Sequence, residues 1–215
     1  MLRNSVETFF IVIDGIDGCG KTTIAQLLLK YLHGIPKKVI LTREPGGSYF
    51  FKPIRQLLLK SETNIEILTE TLLFFADRYE HIKKVIAPSL NDGISVICDR
   101  FMASTYAYQC FGGGIDLQLV DTLRKYVVPF EPDITIILNV DINLAARRIN
   151  SKIESKKTST DESRFEVLGE KFYTKVREGF LWYAENFKNV FVIDANRSID
   201  AVFNDVKNCL GKLKK

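Results

Sequence analysis

The stretch FIVIDGIDGCGKTTIAQLLLKYL, residues 10–32, decides the fold of the chain. It opens on apolar and β-branched residues, which are typical of a strand buried on both faces of a parallel sheet. It closes on a segment with helical periodicity. Between them lies the pattern G-x-x-x-x-G-K-T, in which glycines let successive backbone N–H groups turn inward around a phosphate. A strand, a phosphate loop and a helix in this order predict an α/β domain that binds a nucleotide.

The phosphate loop is predicted to hold the triphosphate of ATP. The helix that begins near Lys21 adds the positive end of its dipole, and the Lys21 ammonium would reach the β- and γ-phosphates. The Thr22 hydroxyl would join the shell of Mg²⁺, the expected cofactor. The residues expected around the ATP phosphates are Gly15, Ile16, Asp17, Gly18, Cys19, Gly20, Lys21, Thr22 and Thr23.

The composition is that of an ordinary globular protein. The chain has 215 residues, of which 46% are hydrophobic and 26% charged, and its net charge is +4. This size predicts a single domain, residues 1–215. The mild, dispersed charge suits anionic small molecules and argues against a nucleic-acid partner. No signal peptide and no membrane-spanning apolar run is recognisable, and the cysteines lack metal-ligand spacing, so we expect a cytoplasmic protein with reduced thiols.

Short apolar, β-branched runs recur along the chain, with helical segments between them. The five runs are residues 9–14, 38–42, 94–99, 134–140 and 190–194. Regular alternation of strand and helix predicts a doubly wound, five-stranded parallel sheet with helices on both faces.

The third run ends in CDRF, residues 98–101. Ligands in open α/β sheets bind at the carboxyl ends of the strands, where Asp99 and Arg100 emerge. Asp99 could act on Mg²⁺ through water, and the Arg100 fork could grip a second phosphate. The alternative is a cap and a surface salt bridge.

Six stretches, in the same order, resemble the bacterial thymidylate kinases. They are GIDGCGKTT (15–23), TREPGGS (42–48), IRQLLL (54–59), LLFFADRYEH (72–81), DRFMASTYAYQ (99–109) and RFE (164–166). The resemblance runs from residue 9 to nearly the end of the chain. It implies the fold of the P-loop nucleoside monophosphate kinases and the phosphorylation of dTMP to dTDP by ATP, a step of dTTP biosynthesis. It also implies a Mg²⁺ requirement and a homodimer.

The resemblance implies an acceptor site around the REPGG loop. It places Arg55 and Arg100 on the acceptor monophosphate, which arginine can bind bidentately. It makes Phe74 the platform on which thymine stacks and Arg78 the donor to an exocyclic oxygen of the base. The two are four residues apart, hence on one helix face. The alternative for Phe74 is a core aromatic side chain.

The resemblance also implies which residues surround the sugar and base. Thr105, Tyr108 and Gln109 would line them, with Tyr108 crowding a ribose 2′-hydroxyl. Asp17 would lie near the sugar 3′-hydroxyl and the acceptor phosphate. A buried acid in that place needs a cation beside it, so it indicates function rather than packing.

The source of the catalytic arginine differs between two versions of the family. One carries it in the phosphate loop, where this chain has Gly18, so the resemblance implies the version with a mobile basic lid, at about residues 147–164. It places Arg148 at a recurrent arginine, and Lys152 is the second candidate. The remaining basic residues of the segment are Arg147, Lys156, Lys157 and Arg164. The alternative is that the Lys-rich loop is only a solvated surface.

The turn DANRSI, residues 194–199, follows the last predicted strand and borders adenine in the family. Asn196 and Arg197 are therefore expected to touch that base. The residues expected to be catalytic are Lys21, Arg100, Arg148 and Asp17.

Two rival functions remain open. Another nucleoside monophosphate or deoxynucleoside kinase would share the fold, but deoxynucleoside kinases typically carry Glu-Arg-Ser where this chain has Asp99-Arg100-Phe101, and REPGG argues against them. A nucleotide-binding regulator without turnover is the rival of another class. The intact Lys21 and Thr22 argue against it.

Overall fold

The computed structural model describes residues 8–34, 38–59, 65–156 and 168–211. They form one parallel sheet with helices on both faces, as predicted. The strands are β1 (Phe10–Asp14), β2 (Val39–Arg43), β3 (Ser95–Asp99), β4 (Ile134–Asn139) and β5 (Val190–Asp194), in the order β2-β3-β1-β4-β5. Each predicted strand is confirmed, with its ends shifted by at most one residue.

The strands lack an alternating pattern because the middle of the sheet is covered on both sides. Every residue of β1 and β3 is buried, and β4 is buried except at its last residue. The edge strand β5 is more exposed, with Val192 at 43%. Parallel strands covered by helices on both faces need apolar residues at most positions, which is what the three central strands carry.

Helices connect the strands. They are α1 (Lys21–His33), α2 (Lys52–Leu59), α3 (Ile67–His81), α4 (Ala87–Asn91), α5 (Met102–Thr105), α6 (Leu117–Val127), α7 (Ile142–Lys156), α8 (Gly169–Asn186) and α9 (Ile199–Leu210). Wider π-helical segments continue α3 over Ile82–Ile86 and α5 over Tyr106–Gly112. No helix in the described ranges is both long and apolar enough to cross a membrane.

The sheet order brings two polar loops together. Because β1 lies between β3 and β4, the phosphate loop after β1 emerges beside the end of β3, where Ile13 pairs with Asp99. On the other side of β3, Arg43 at the end of β2 pairs with Asp99 as well. Three loops that carry predicted site residues therefore leave the same edge of the sheet.

Candidate active site

The phosphate loop turns at three glycines. Gly15, Gly18 and Gly20 have φ values of +143°, +77° and +95°, which side-chain-bearing residues rarely adopt. A Cβ on Gly18 would lie 2.5 Å from the carbonyl oxygen of Ala145 in α7. The loop thus rests directly on the backbone of α7, and position 18 has no room for a side chain.

Lys21 begins α1 and turns back over the loop. Its Nζ donates to the carbonyl oxygen of Ile16 at 3.2 Å and to Asp17 Oδ1 at 3.3 Å. These contacts hold the ammonium above the concave face formed by the loop.

Thr22 and Asp99 form a corner that fits a Mg²⁺ ion. Thr22 Oγ1 donates to Asp99 Oδ2 at 2.6 Å. Asp99 Oδ1 is buried, and no hydrogen-bond partner for it exists among the described residues. Carboxylate and hydroxyl oxygens are hard ligands that Mg²⁺ accepts. An orphaned carboxylate oxygen beside a phosphate loop is consistent with a cation there.

The Asp17 carboxylate connects the phosphate loop to the residues that follow β3. Its Oδ1 accepts from Arg100 as well as from Lys21, and its Oδ2 accepts from the Tyr108 hydroxyl at 2.8 Å. Burial by itself would raise the pKa of this carboxyl, but Arg100 and Lys21 beside it lower the pKa to about 2. The sequence predicted that this buried acid needs a cation beside it, and two are present, Arg100 and Lys21.

Arg100 is held in place by a buried carboxylate that the sequence did not single out. Arg100 has a left-handed backbone with a φ of +77°, and its N–H donates to the Ile13 carbonyl at 3.0 Å. Asp14 accepts from the backbone N–H groups of Phe101 and Ser104, each at 3.1 Å, and from Ser104 Oγ at 2.7 Å. Ser104 Oγ in turn accepts from Arg100 at 3.0 Å. The sequence feature that could have identified Asp14 is an acidic residue at the end of an otherwise apolar strand.

Arg78 lies buried at the far end of the cavity, with 1% of its surface exposed. It donates to Glu44 Oε2 at 2.7 Å, to Thr105 Oγ1 at 2.7 Å, to the Phe101 carbonyl at 3.1 Å and to Met102 Sδ at 3.1 Å. Within the described chain these contacts engage all but one of its N–H groups. Arg78 can therefore offer a ligand a single donor rather than a fork.

The loop that follows β2 is tied to α3 by a second polar cluster. Glu44 accepts from Arg78 and contacts His81 Nδ1 at 2.9 Å, and His81 Nε2 contacts Thr42 Oγ1 at 2.7 Å. Asp77 Oδ1 accepts from the Gly46 N–H at 2.9 Å. Glu44, Asp77 and His81 were not predicted, because their partners are more than thirty residues away in the sequence.

Arg55 reaches over the same loop from α2. Its guanidinium donates to the Pro45 carbonyl at 2.9 Å. A Cβ on Gly46 would lie 2.9 Å from the Arg55 side chain, so the missing side chain lets Arg55 lie flat on the loop.

One cavity of about 850 Å³ collects most of the predicted residues. It is lined by Asp17–Thr23 of the phosphate loop and by Arg55, Phe74, Arg78, Asp99, Arg100, Thr105, Tyr108, Gln109, Arg148 and Arg197. Phe74 is half-buried and faces the cavity, whereas its neighbour Phe75 is buried in the core. Gly15 and Ile16 do not line the cavity.

The carboxyl-terminal turn and the predicted lid are described only in part. Arg148 lines the cavity and donates to the Ala195 carbonyl at 3.1 Å, while Arg147 is exposed. Asn196 does not line the cavity; its Oδ1 accepts from the Asp141 N–H at 2.8 Å and braces the turn. Lys157, Arg164 and the RFE stretch lie outside the described residues, as do the side chains of Lys152 and Lys156.

Comparison with known proteins gives one consistent result. Residues 13–206 match the thymidylate kinase family. A thymidylate kinase of Wolbachia pipientis subsp. Culex pipiens is 42% identical over 96% of this chain and 97% of its own length. One from Ehrlichia ruminantium (strain Gardel) is 45% identical over 80% of each chain. The crystal structure of thymidylate kinase from Ehrlichia chaffeensis superimposes with a TM-score of 0.76 at 38% identity, covering 95% of this chain and 98% of that one.

Proposed function

The chain belongs to the thymidylate kinase family, and on that premise we propose how its cleft transfers the γ-phosphoryl group of ATP to dTMP to give dTDP. The activity is that of an ATP-dependent nucleoside monophosphate kinase. The observation that carries the mechanism is the convergence of Lys21 and Arg100 on one oxygen of Asp17. The cation proposed for the ATP phosphates and the cation proposed for the dTMP phosphate therefore lie beside the same carboxylate. Direct phosphoryl transfer requires the two phosphates to be held close together in this way.

On the donor side, the phosphate loop binds ATP. Backbone N–H groups of residues 17–23, the part of the loop that lines the cavity, surround the phosphates, and Lys21 stabilises the charge that spreads over the transferring group. Thr22 and Asp99 would hold Mg²⁺. When bound, that ion neutralises phosphate charge and orients the phosphate oxygens.

On the acceptor side, Arg55 and Arg100 bind the dTMP phosphate. Both guanidinium groups line the cavity, and the Asp14–Ser104 contacts fix the direction of Arg100. Asp17 binds the sugar 3′-hydroxyl, and Tyr108, whose ring lies 5.0 Å below the Arg100 guanidinium, limits space beside the sugar.

At the base end, Phe74 stacks on thymine and Arg78 donates its one remaining N–H to an exocyclic oxygen. Thr105 and Gln109 complete the lining. Phe74 and Arg78 share a face of α3, which directs both toward the same base.

Residues 1–215 act as a single kinase domain in which residues 147–164 form the lid. Arg148 is the lid arginine that reaches the γ-phosphate, because position 18 cannot carry one. Arg197 lies against adenine, and Asn196 supports the turn that presents it.

We propose a cytoplasmic homodimer with no membrane or nucleic-acid partner. Leu68, Leu72 and Tyr79 are 46%, 48% and 42% exposed and project from one side of α3. The neighbouring helix α6 adds Leu119, which is 38% exposed. Exposed apolar side chains that share one face of a helix mark a protein–protein interface.

This function is tested by an ADP-release assay in which dTMP, dUMP, dCMP, dGMP or thymidine is supplied as the acceptor. We expect turnover of dTMP with ATP and Mg²⁺ and little with thymidine, because Arg55 and Arg100 need an acceptor phosphate. Comparable turnover of thymidine would favour a deoxynucleoside kinase instead. ATP binding without turnover of any acceptor would favour a non-catalytic regulator.

A further inference from the structure

Glu70 is a buried carboxyl group that the mechanism above does not use. Its exposure is 1%, and it lies on α3 four residues before Phe74 and eight before Arg78. Side chains at this spacing project from one helix face, so Glu70 lies on the side of α3 that faces the cavity. Burying a carboxylate is costly unless polar groups satisfy it, and Gln109 supplies one such group.

The contact with Glu70 orients the Gln109 amide. Gln109 Nε2 donates to Glu70 Oε1 at 3.1 Å, and Gln109 lines the cavity while being only 2% exposed. The amide thus turns its nitrogen toward Glu70, as an ionised carboxyl group requires, because it accepts hydrogen bonds and cannot donate them. The oxygen of a planar amide points away from its nitrogen. The Gln109 carbonyl oxygen is thus left to face a ligand.

We propose that Glu70 is a positioning residue for base selectivity, which holds the Gln109 carbonyl oxygen so that it accepts the N3–H of a thymine ring. The assignment rests on the proposed dTMP kinase function. Arg78 supplies the matching donor, and its bond to Thr105, one helical turn before Gln109, keeps the donor close to this acceptor.

Thymine offers a carbonyl oxygen next to N3–H, which complements one donor and one acceptor. Cytosine offers an amino group next to an unprotonated N3, so donor would face donor and acceptor would face acceptor. Sites built on hydrogen bonds discriminate strongly, because a mismatched base leaves buried polar groups unpaired.

The test is the selectivity of Glu70→Gln. A glutamine at position 70 donates as well as accepts, so the Gln109 amide becomes free to flip. We expect the ratio of kcat/KM for dCMP to that for dTMP to rise at least about tenfold, with no change in the KM for ATP. Glu66→Gln, the same change at the exposed start of α3, is the matched control and should leave the ratio unchanged. The ratio is independent of the fraction of folded enzyme.

A double-variant cycle identifies the route of the effect. Gln109→Met removes the amide and should relax the selectivity by itself, and an unchanged ratio in this variant overturns the assignment even if Glu70→Gln does not fold. Adding Glu70→Gln to Gln109→Met should then change the ratio no further. An unchanged ratio in Glu70→Gln or Gln109→Met, or an equal shift with and without the Gln109 amide, would overturn the assignment. The wild-type enzyme would still turn over dTMP in those cases, whereas failure of the proposed function would abolish that turnover.

Discussion

At the scale of single residues, the cleft is organised around Asp17. Its carboxylate binds Lys21, Arg100 and the Tyr108 hydroxyl, so these side chains are already ordered where phosphates are proposed to bind. A phosphate then replaces the carboxylate as the partner of each cation. Exchanging one anion for another costs less side-chain entropy than ordering free lysine and arginine side chains.

Lys21→Ala and Arg100→Ala should fail in different ways. Lys21 is proposed to stabilise the transferring phosphoryl group, so its removal should lower mainly kcat. Arg100 is proposed to bind the acceptor phosphate as well, so its removal should also raise the KM for dTMP. Steady-state kinetics with each substrate varied separates the two effects. Persisting activity with an unchanged KM for dTMP in Arg100→Ala would show that the acceptor assignment is wrong.

Arg148→Ala tests the proposed lid arginine. We expect kcat to fall about 10³–10⁵-fold, as for other arginine fingers, while ATP binding without dTMP weakens far less because the lid closes over the complete site. The exposed neighbour Arg147 provides the control, and Arg147→Ala should be close to wild type. Lys152→Ala should have a smaller effect than Arg148→Ala. A near-normal kcat in Arg148→Ala, together with a large loss of kcat in Lys152→Ala, would assign the role to Lys152, one helical turn further along α7.

At the scale of elements, the loop after β2 depends on α3. Glu44 contacts Arg78 and His81, and the Gly46 N–H donates to Asp77. These three α3 residues lie on the last two turns of that helix. The loop that Arg55 contacts is therefore positioned by buried polar groups. Its geometry should respond to their protonation.

Asp77→Asn should change the pH dependence of stability. Burial, followed by the nearby Glu44 carboxyl, raises the pKa of Asp77 from 3.8 to about 6. A raised pKa means that the folded state binds the proton more tightly, so this contribution to stability is full below pH 3.8 and is lost as the pH rises to about 6. Asparagine keeps the Gly46 contact and removes the charge.

Thermal unfolding between pH 4 and 8 measures this effect. Asp77→Asn should flatten the curve between about pH 4 and 6 and raise the free energy of unfolding at pH 7.5 by on the order of 2 kcal/mol. Asp92→Asn changes an exposed carboxyl and should reproduce the wild-type profile. An unaltered profile in Asp77→Asn would contradict the raised pKa.

The elements differ in how far the sequence predicts them. The strands were predictable because burial on both faces leaves continuous apolar runs, and α1 was predictable because its apolar residues have helical spacing. The phosphate loop was predictable because its motif has a fixed spacing. The helix Met102–Thr105 with its π-helical extension was not predicted, because its mixture of apolar and polar residues lacks a clear helical period and π-helices have no simple signature. Asp14, Glu44 and Glu70 could not be assigned, since their roles depend on partners distant in sequence.

At the scale of the whole molecule, the order β2-β3-β1-β4-β5 builds one cleft from loops that are far apart in the chain. The loop proposed to bind ATP follows β1, the residues proposed to bind the acceptor follow β2 and β3, and the proposed lid arginine follows β4. The apolar stripe of α3 is on the helix that supplies Phe74 and Arg78. A dimer through that stripe would stabilise the base end of the cleft.

Leu72→Glu tests the proposed dimer. A charge placed in an apolar interface remains buried without a partner, so the variant should be monomeric in sedimentation velocity or light scattering at concentrations where the wild type is a dimer. Leu168→Glu, at an exposed leucine before α8, is the control and should leave the mass unchanged. A monomeric wild type, or a dimer unaffected by Leu72→Glu, would contradict the proposed interface.

The contact between Gly18 and Ala145 bears on how this chain could evolve. A lineage that moved the catalytic arginine from its proposed place in the lid to the loop would first have to place a side chain where the α7 backbone lies 2.5 Å away, on a residue with a φ of +77°. Every intermediate genotype that changes position 18 alone therefore meets a steric barrier before any catalytic advantage arises. The two arrangements are separated by a fitness valley, which can be crossed only after α7 has shifted. Gly18 thus commits descendants of this sequence to the arginine source that they inherit.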